Sequence, residues 1–233
     1  KDNYVLALTK IDNAIAHFPN NEFLEELLVL KNHIKKDEVS FYLKTELTQG
    51  KPSLLNIQYR NVEKVLFNIY KIEGEKAFKN PENELSNYII SAVYSKTLSF
   101  PKEEKFIRHD MDFILPKIKD LGKYIFIVGK DQQAIDSLFT VKNTFKNTGF
   151  SFKVYNLSNL SALTTIRGND LNFMVKDAIT GKPISKAKIE VIAKDKSKVT
   201  LFTDKEGKGI TPIQSSVTYT ISKGEDVLEG RSY

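Results

Sequence analysis

The sequence predicts a mainly β protein: two β-sandwich domains in series, preceded by a short helical hairpin. Two observations carry this. Apolar residues recur at spacings of four and three up to Ile34, then switch at Val39 to strict alternation. From there, short alternating runs are separated by Gly-, Pro- and Asp-rich turns every eight to twelve residues, the rhythm of a sandwich.

In the first segment Tyr4, Leu8, Ile11, Ile15 and Phe18 form one helical stripe, and Phe23, Leu27, Leu30 and Ile34 a second. Pro19-Asn20-Asn21 breaks the pattern and supplies a cap, with Glu22 in the first turn of the next helix. Lys35 and Lys36 suit its C-terminal end. Two such helices make an αα-hairpin that needs a partner surface for stability.

Val39 to Leu47 then reads as a half-buried strand, and Gln49-Gly50-Lys51-Pro52 as a turn. Leu55, Ile57 and Tyr59 alternate, and Val65 to Ile72 is rich in β-formers. The polar stretch from Gly74 to Asn87 is loop-like. Ile90, Ala92, Tyr94 and Leu98 form a strand stopped by Phe100-Pro101, and Ile107, Met111, Phe113 and Leu115 form another. Tyr124 to Val128 is a short apolar strand. Asp120-Leu121-Gly122-Lys123-Tyr124 has the spacing of a tyrosine corner, in which a phenol closes the end of a sandwich by bonding upstream backbone. Asp131 to Gly149 is a polar connection that includes a last strand at Leu138 to Val141.

A second alternating series follows: Phe152 and Val154, then Leu171, Phe173 and Val175, then Ala187, Ile189, Val191 and Ala193, then Val199, Leu201 and Thr203, and finally Val217, Tyr219 and Ile221. Asp177 to Pro183 and Asp204-Lys205-Glu206-Gly207 are its tight turns. The domain plan is residues 1–37, 38–148 and 149–233.

The chain of 233 residues begins at Lys1 without a methionine, and its end at Tyr233 falls within β-structure, so it reads as a piece of a longer protein. Net charge is +6, but only Arg60, Arg108, Arg167 and Arg231 of the 35 basic residues are arginine, and the lysines are spread among many acids. That pattern describes a solvated surface and no nucleic-acid partner. No run of eighteen apolar residues exists, so no membrane span is expected. Without cysteine there is no disulfide, Cys nucleophile or Cys-based metal site here.

The most enzyme-like cluster is Arg108-His109-Asp110-Met111-Asp112. Alternation puts Arg108, Asp110 and Asp112 on one strand face and His109 with Met111 on the other. Two neighbouring carboxylates can serve acid–base work or bind calcium. The plainer reading is a solvated face on which Arg108 neutralises Asp110, with His109 a core or edge histidine. His17 and His33 have no metal-ligand spacing around them. Asp204 is expected to bond its own turn, where Lys205 and Lys208 disfavour a cation at Glu206. The sequence therefore assigns no catalytic, cofactor-binding or metal residue, and no cofactor. Asn156-Leu157-Ser158 and Asn159-Leu160-Ser161 match the glycosylation sequon, which matters only in a eukaryotic secretory host.

Three stretches resemble a known family. Phe152-Lys153-Val154-Tyr155-Asn156-Leu157-Ser158 looks like the opening strand of a macroglobulin-like domain. Val175-Lys176-Asp177, through Thr180-Gly181-Lys182-Pro183 to Ala187-Lys188-Ile189, resembles its Val-x-Asp-x-x-Thr-Gly-x-Pro signature, and Thr203-Asp204-Lys205-Glu206-Gly207 its Thr-Asp-x-x-Gly turn. Upstream, Pro52 to Tyr70, with Tyr59-Arg60-Asn61-Val62, and Leu115 to Tyr124 look like the preceding domain of the same kind. Residues from about 38 to the end thus resemble bacterial alpha-2-macroglobulin proteins of the cell envelope, whose macroglobulin-like domains are immunoglobulin-like sandwiches. The resemblance implies a non-catalytic scaffold within a periplasmic or envelope protein that traps or inhibits peptidases. The peptidase would be met by other regions of the parent, and this segment would contact neighbouring domains of its own chain. The family's Cys-Gly-Glu-Gln thioester has no counterpart here. The rival readings are an adhesin or carbohydrate- or protein-binding module on the same sandwiches, and an enzyme using Asp110 and Asp112 in a concave pocket.

Overall fold

The structure, a computed structural model, describes residues 3–20, 22–44, 47–72, 89–101, 106–140, 149–212 and 216–232. The expected loop from Gly74 to Asn87 lies outside them. Contacts divide the chain into two compact units, each built from three segments: Lys1–Thr45, Leu54–Leu115 and Ile125–Val154 in one, and Glu46–Ser53, Pro116–Tyr124 and Tyr155–Tyr233 in the other.

The first unit opens with the predicted hairpin, α1 (Tyr4–His17) and α2 (Leu24–Lys35). Asn3 caps α1 by accepting from the Leu6 N–H. Leu8, Ile11 and Ile34 are buried, with Tyr4, Ala7, Ile15, Leu27 and Phe106 packed against them. The stripes are shorter than their periodicity: Phe18, Phe23 and Leu30 are exposed. The second helix starts at Leu24, two residues later than the expected cap implies, with Glu25 and Glu26 in its first turn.

Two sheets follow. One is three-stranded, in the order β1-β2-β5: β1 (Glu38–Leu43), β2 (Leu54–Arg60) and β5 (His109–Ile114). The other is four-stranded, in the order β4-β3-β6-β7: β3 (Lys64–Ile72), β4 (Ile89–Ser99), β6 (Gly122–Gly129) and β7 (Phe150–Leu157). They meet through aromatic rings. Phe67 of β3 packs edge-on across the two sheets against Phe113 of β5 and, within its own sheet, against Phe126 of β6, with centroids 5.9 Å away in each case. Tyr59 of β2 stacks on Phe100. β1 ends at Leu43, short of the expected Leu47.

The polar connection after β6 contains a helix, not the expected strand at Leu138 to Val141. This helix, α3, spans Gln132–Thr140; Val141 is outside the described residues. Asp131 accepts from the Ala134 N–H at 2.7 Å, Gln132 bonds Asp136 one turn on, and Ala134 and Ile135 are buried. An Asp cap and a local turn outweigh a weak β pattern.

The second unit contains the sheets β12-β9-β8 and β11-β10-β13-β14. Their strands are β8 (Leu160–Arg167), β9 (Asp170–Asp177), β10 (Lys188–Ala193), β11 (Lys198–Phe202), β12 (Lys208–Pro212), β13 (Val217–Lys223) and β14 (Asp226–Ser232). The core is the one that alternation predicts: Leu171, Phe173 and Val175 from β9 face Ile189 and Val191 of β10 and Tyr219 and Ile221 of β13. Phe173 meets Tyr219 edge-on at 5.1 Å.

Candidate functional site

The singled-out cluster lies on β5, an edge strand. The alternation holds: His109, Met111 and Phe113 are half-buried, while Asp110, Asp112 and Ile114 are exposed. His109 leans on the Tyr59 ring, centroids 5.7 Å apart, as an edge histidine would.

The carboxylates have a partner that the sequence reading missed. β2 pairs with β5 so that Asn56 stands opposite Asp112 and Gln58 opposite Asp110. The Asn56 side chain is fully buried, and its Nδ2 donates to Asp110 Oδ2 at 3.1 Å and to Asp112 Oδ1 at 2.8 Å. Lys44 Nζ donates to Asp112 Oδ2 at 2.7 Å. The Asn56 bond, then the Lys44 bond, hold the Asp112 carboxyl below its ordinary range, and the Lys44 amine is raised in turn. Asn56 therefore clasps both acids to the sheet face. Neither Asp110 nor Asp112 lines the cavity of about 360 Å³ that borders Lys36 to Ser40, and among the described residues no three His, Asp or Glu side chains are grouped as metal ligands.

Arg108 does not pair with Asp110. Its Nη2 donates to Glu38 Oε2 at 3.0 Å. Arg108 precedes the first residue of β5, so the pleat does not hold its side chain on the Asp110 face.

Glu38 leads to the most buried charge among the described residues. Arg60 is 3% exposed, and its Nη2 donates to Glu38 Oε1 at 2.7 Å and to the His33 carbonyl at 3.1 Å. The guanidinium also lies over the Tyr4 ring, 5.4 Å from its centroid. Next to it, Asn61 has a left-handed backbone, φ 60°. Its Nδ2 donates to the carbonyls of Ile34 and Lys36, and its Oδ1 accepts from the Phe106 N–H. These two residues satisfy carbonyls at the C-terminal end of α2, and so latch the hairpin onto β2. A lone arginine among lysines, at a strand end before Asn, was the available signal.

Beside the latch is a cavity of about 360 Å³, lined among others by Lys36, Glu38, Ser40, Gln58, Arg108 and Phe150.

In the second unit the motif residues serve the backbone. Tyr124 Oη donates to the Asp120 carbonyl at 2.5 Å, the tyrosine corner that its spacing predicts. Asp177 Oδ1 accepts from the N–H groups of Ile179 and Thr180 and from the Thr180 hydroxyl, which keep its carboxyl below the usual range. Asp204 Oδ1 accepts from the N–H groups of Glu206 and Lys208, as expected of a turn. Both sequon asparagines are engaged: Asn156 donates to the Val227 carbonyl and Asn159 to Gln49 Oε1.

No family profile matches the chain, and no curated protein is similar to it in sequence. Its fold is nevertheless found among solved structures. Native alpha-2-macroglobulin from Escherichia coli, in a structure spanning domains MG0, NIE and MG1, superposes with a TM-score of 0.61 at 15% identity. The match covers 83% of this chain and 63% of that one, so the chain spans less than two thirds of that structure. A second structure, spanning NIE and MG1, gives a TM-score of 0.56 at 12% identity, with 84% of this chain and 96% of that one covered. The chain has an alpha-2-macroglobulin-like fold.

Proposed function

We propose that this chain is a non-catalytic scaffold segment of a large alpha-2-macroglobulin-like protein of the bacterial cell envelope, and that the whole protein traps or inhibits peptidases. The observation that carries the reading is the shared fold, which runs through both domains of the NIE–MG1 structure at nearly full length. The chemistry of the chain agrees with it. Asp110 and Asp112, the acids best suited to catalysis, sit exposed on an edge strand, tied down by Asn56 and Lys44. The conspicuous turn motifs are spent on holding strands together, as a structural role requires. Among the described residues no helix is long and apolar enough to cross a membrane.

In this reading the peptidase meets regions of the parent protein beyond the present sequence, and this segment keeps the frame. The test is made on the full-length parent. Small-angle scattering and native gels before and after brief protease exposure should show compaction with bound protease. The bound protease should still cut a small peptide substrate while losing activity on a large protein. Simple degradation, or an unchanged shape with no protease bound, would overturn the trap reading and favour an adhesin or other structural role.

A further inference from the structure

We infer that the solvent face of the sheet β12-β9-β8 is a docking site for an amphipathic helix of a partner protein, one whose apolar stripe is bordered by acidic residues. The face follows from the register. Leu171, Phe173 and Val175 of β9 are in the core, so Asp170, Asn172, Met174 and Lys176 point the other way. Leu163 of β8 stands opposite Met174 on one side and Lys208 of β12 on the other. One row along, Thr165 and Ile210 flank Asn172 in the same manner. In the next row Arg167 stands opposite Asp170.

A sheet face turned to water is normally polar. Here Leu163 is 65% exposed and Ile210 is 61% exposed, and Met174 between them is half-buried. These three, with Thr165, Arg167 and Lys208 among others, line a hollow of about 300 Å³. The axes of the three strands span about 10 Å, close to the diameter of a helix. Along β9 the face runs from Asp170 to Lys176, about 20 Å, or roughly thirteen residues of helix. The face offers side chains and no backbone ladder, so the occupant it suits is a helix and not an added strand.

Charge selects which helix. Arg167, Lys176 and Lys208 are exposed, and among the described residues none of the three is in an ion pair. Asp170 is the only acidic residue at the outward positions of these strands. Three cations thus surround an apolar centre and face one carboxylate. The other sheet of the unit is the contrast. There Lys188 and Lys198 both pair with Glu190, and the exposed Phe202 and Ile192 stand apart, in the rows of Lys188 and Lys198. A leucine stripe bordered by Glu or Asp complements the first face in both respects. An anionic lipid surface fits it less well, because Asp170 would press against the head groups. This inference stands apart from the proposed scaffold role, and its failure would leave that role and its protease test untouched.

The test is an NMR titration of the methyl-labelled chain with a blocked peptide of two Leu-Glu-Glu-Leu-Leu-Glu-Ala repeats. The control peptide has lysine in place of every glutamate. The expected result is saturable shifts of the Leu163, Met174 and Ile210 methyl groups. At low salt the glutamate peptide should bind about tenfold more tightly than the lysine peptide, and the ratio should shrink as salt is added. Arg167→Gln combined with Lys208→Gln should remove most of that preference. Leu163→Thr combined with Ile210→Thr should weaken the glutamate peptide by about tenfold. All four side chains are exposed, and the comparison of the two peptides on the unaltered chain stands even if a variant folds poorly. No saturable shift at these methyls, shifts confined to other faces, or equal affinity for both peptides would each overturn the inference. Shifts of the same methyls that grow with protein concentration in the absence of peptide would assign the face to a second copy of the chain. Their broadening on phosphatidylglycerol vesicles, with no response to either peptide, would assign it to a lipid surface. Either result overturns the inference as well.

Discussion

Tyr124 shows how one side chain closes a fold. The residue is 1% exposed and its hydroxyl donates to the Asp120 carbonyl. Burial, helped by the nearby Asp120 charge, pushes its phenol up to about 12. An unfolded tyrosine ionises near 10. The folded state thus favours the neutral phenol, so this contribution is whole below pH ~10 and is lost as the pH rises through about 12. Alkaline titration should show a late-ionising tyrosine that Tyr124→Phe removes, beside Tyr70, whose phenol is also raised by burial. The same substitution should destabilise the chain by about 1 kcal/mol in denaturant unfolding, since the ring stays and one buried bond goes. Asp112 has the opposite sign. Asn56 and Lys44 hold its carboxyl low, so its contribution is present above pH ~4 and lost below. Lys44→Met should raise the Asp112 midpoint in an NMR titration only part of the way, because the Asn56 bond remains. The corner was legible because Asp-x-Gly-x-Tyr is contiguous. The Asn56 clasp and the buried Arg60 were not, since their partners stand far along the chain, at Asp110, Asp112 and His33.

At the scale of elements, turns and latches decide what can vary. Gly207 has φ +75°, and a Cβ there would collide with the Val175 carbonyl oxygen. Gly181 has φ +69° with open space around it. Gly207→Ala should therefore cost about 2–5 kcal/mol, from strain plus displacement of β9, and Gly181→Ala only about 1–2 kcal/mol. Parallel thermal unfolding of the two variants checks the ordering. Asn61 joins the two kinds of constraint, with a left-handed backbone and three side-chain bonds at the hairpin latch. Asn61→Ala should cost about 2–3 kcal/mol and Asn61→Gly less, because glycine relieves the backbone term. Both should speed amide exchange in α1 and α2 while leaving β8 to β14 protected. Strands with strict alternation, such as β5, β9 and β10, could be read directly. β8 could not, because Leu163 points outward, 65% exposed, and spoils the pattern. α3 was hidden by its polar start, which has the composition of a loop although Asp131 caps a helix there.

For the whole molecule, the order of residues along the chain and the order of contacts differ. Periodicity is local, so it yields consecutive domains, and a break at 149 is its natural reading. Contacts in the second unit gather residues from three segments. Gly50 N–H and Gln49 Nε2 donate to the carbonyls of Ile118 and Lys119, Asn159 donates to Gln49, and Lys123 pairs with Glu229. One apolar cluster of that unit lies between Leu160 and Leu228, while Ile118, Tyr124 and Leu157 are buried outside it. A fragment of residues 149–233 keeps the Leu160–Leu228 cluster and loses buried Ile118 and Tyr124 together with bonds at its margin. It should fold with its β-sheet spectrum intact. It should be less stable by about 1–2 kcal/mol than the same unit in the full chain for the loss of the Asn159–Gln49 and Lys123–Glu229 contacts alone. That corresponds to a lower Tm by about 4–16 °C for a unit of this size. Adding a Gln49→Ala change to the full chain should reproduce part of the deficit and leave the fragment, which lacks Gln49, as the reference. If the fragment fails to fold at all, the segments Glu46–Ser53 and Pro116–Tyr124 belong to the nucleus of the unit, and the core between Leu160 and Leu228 is insufficient by itself.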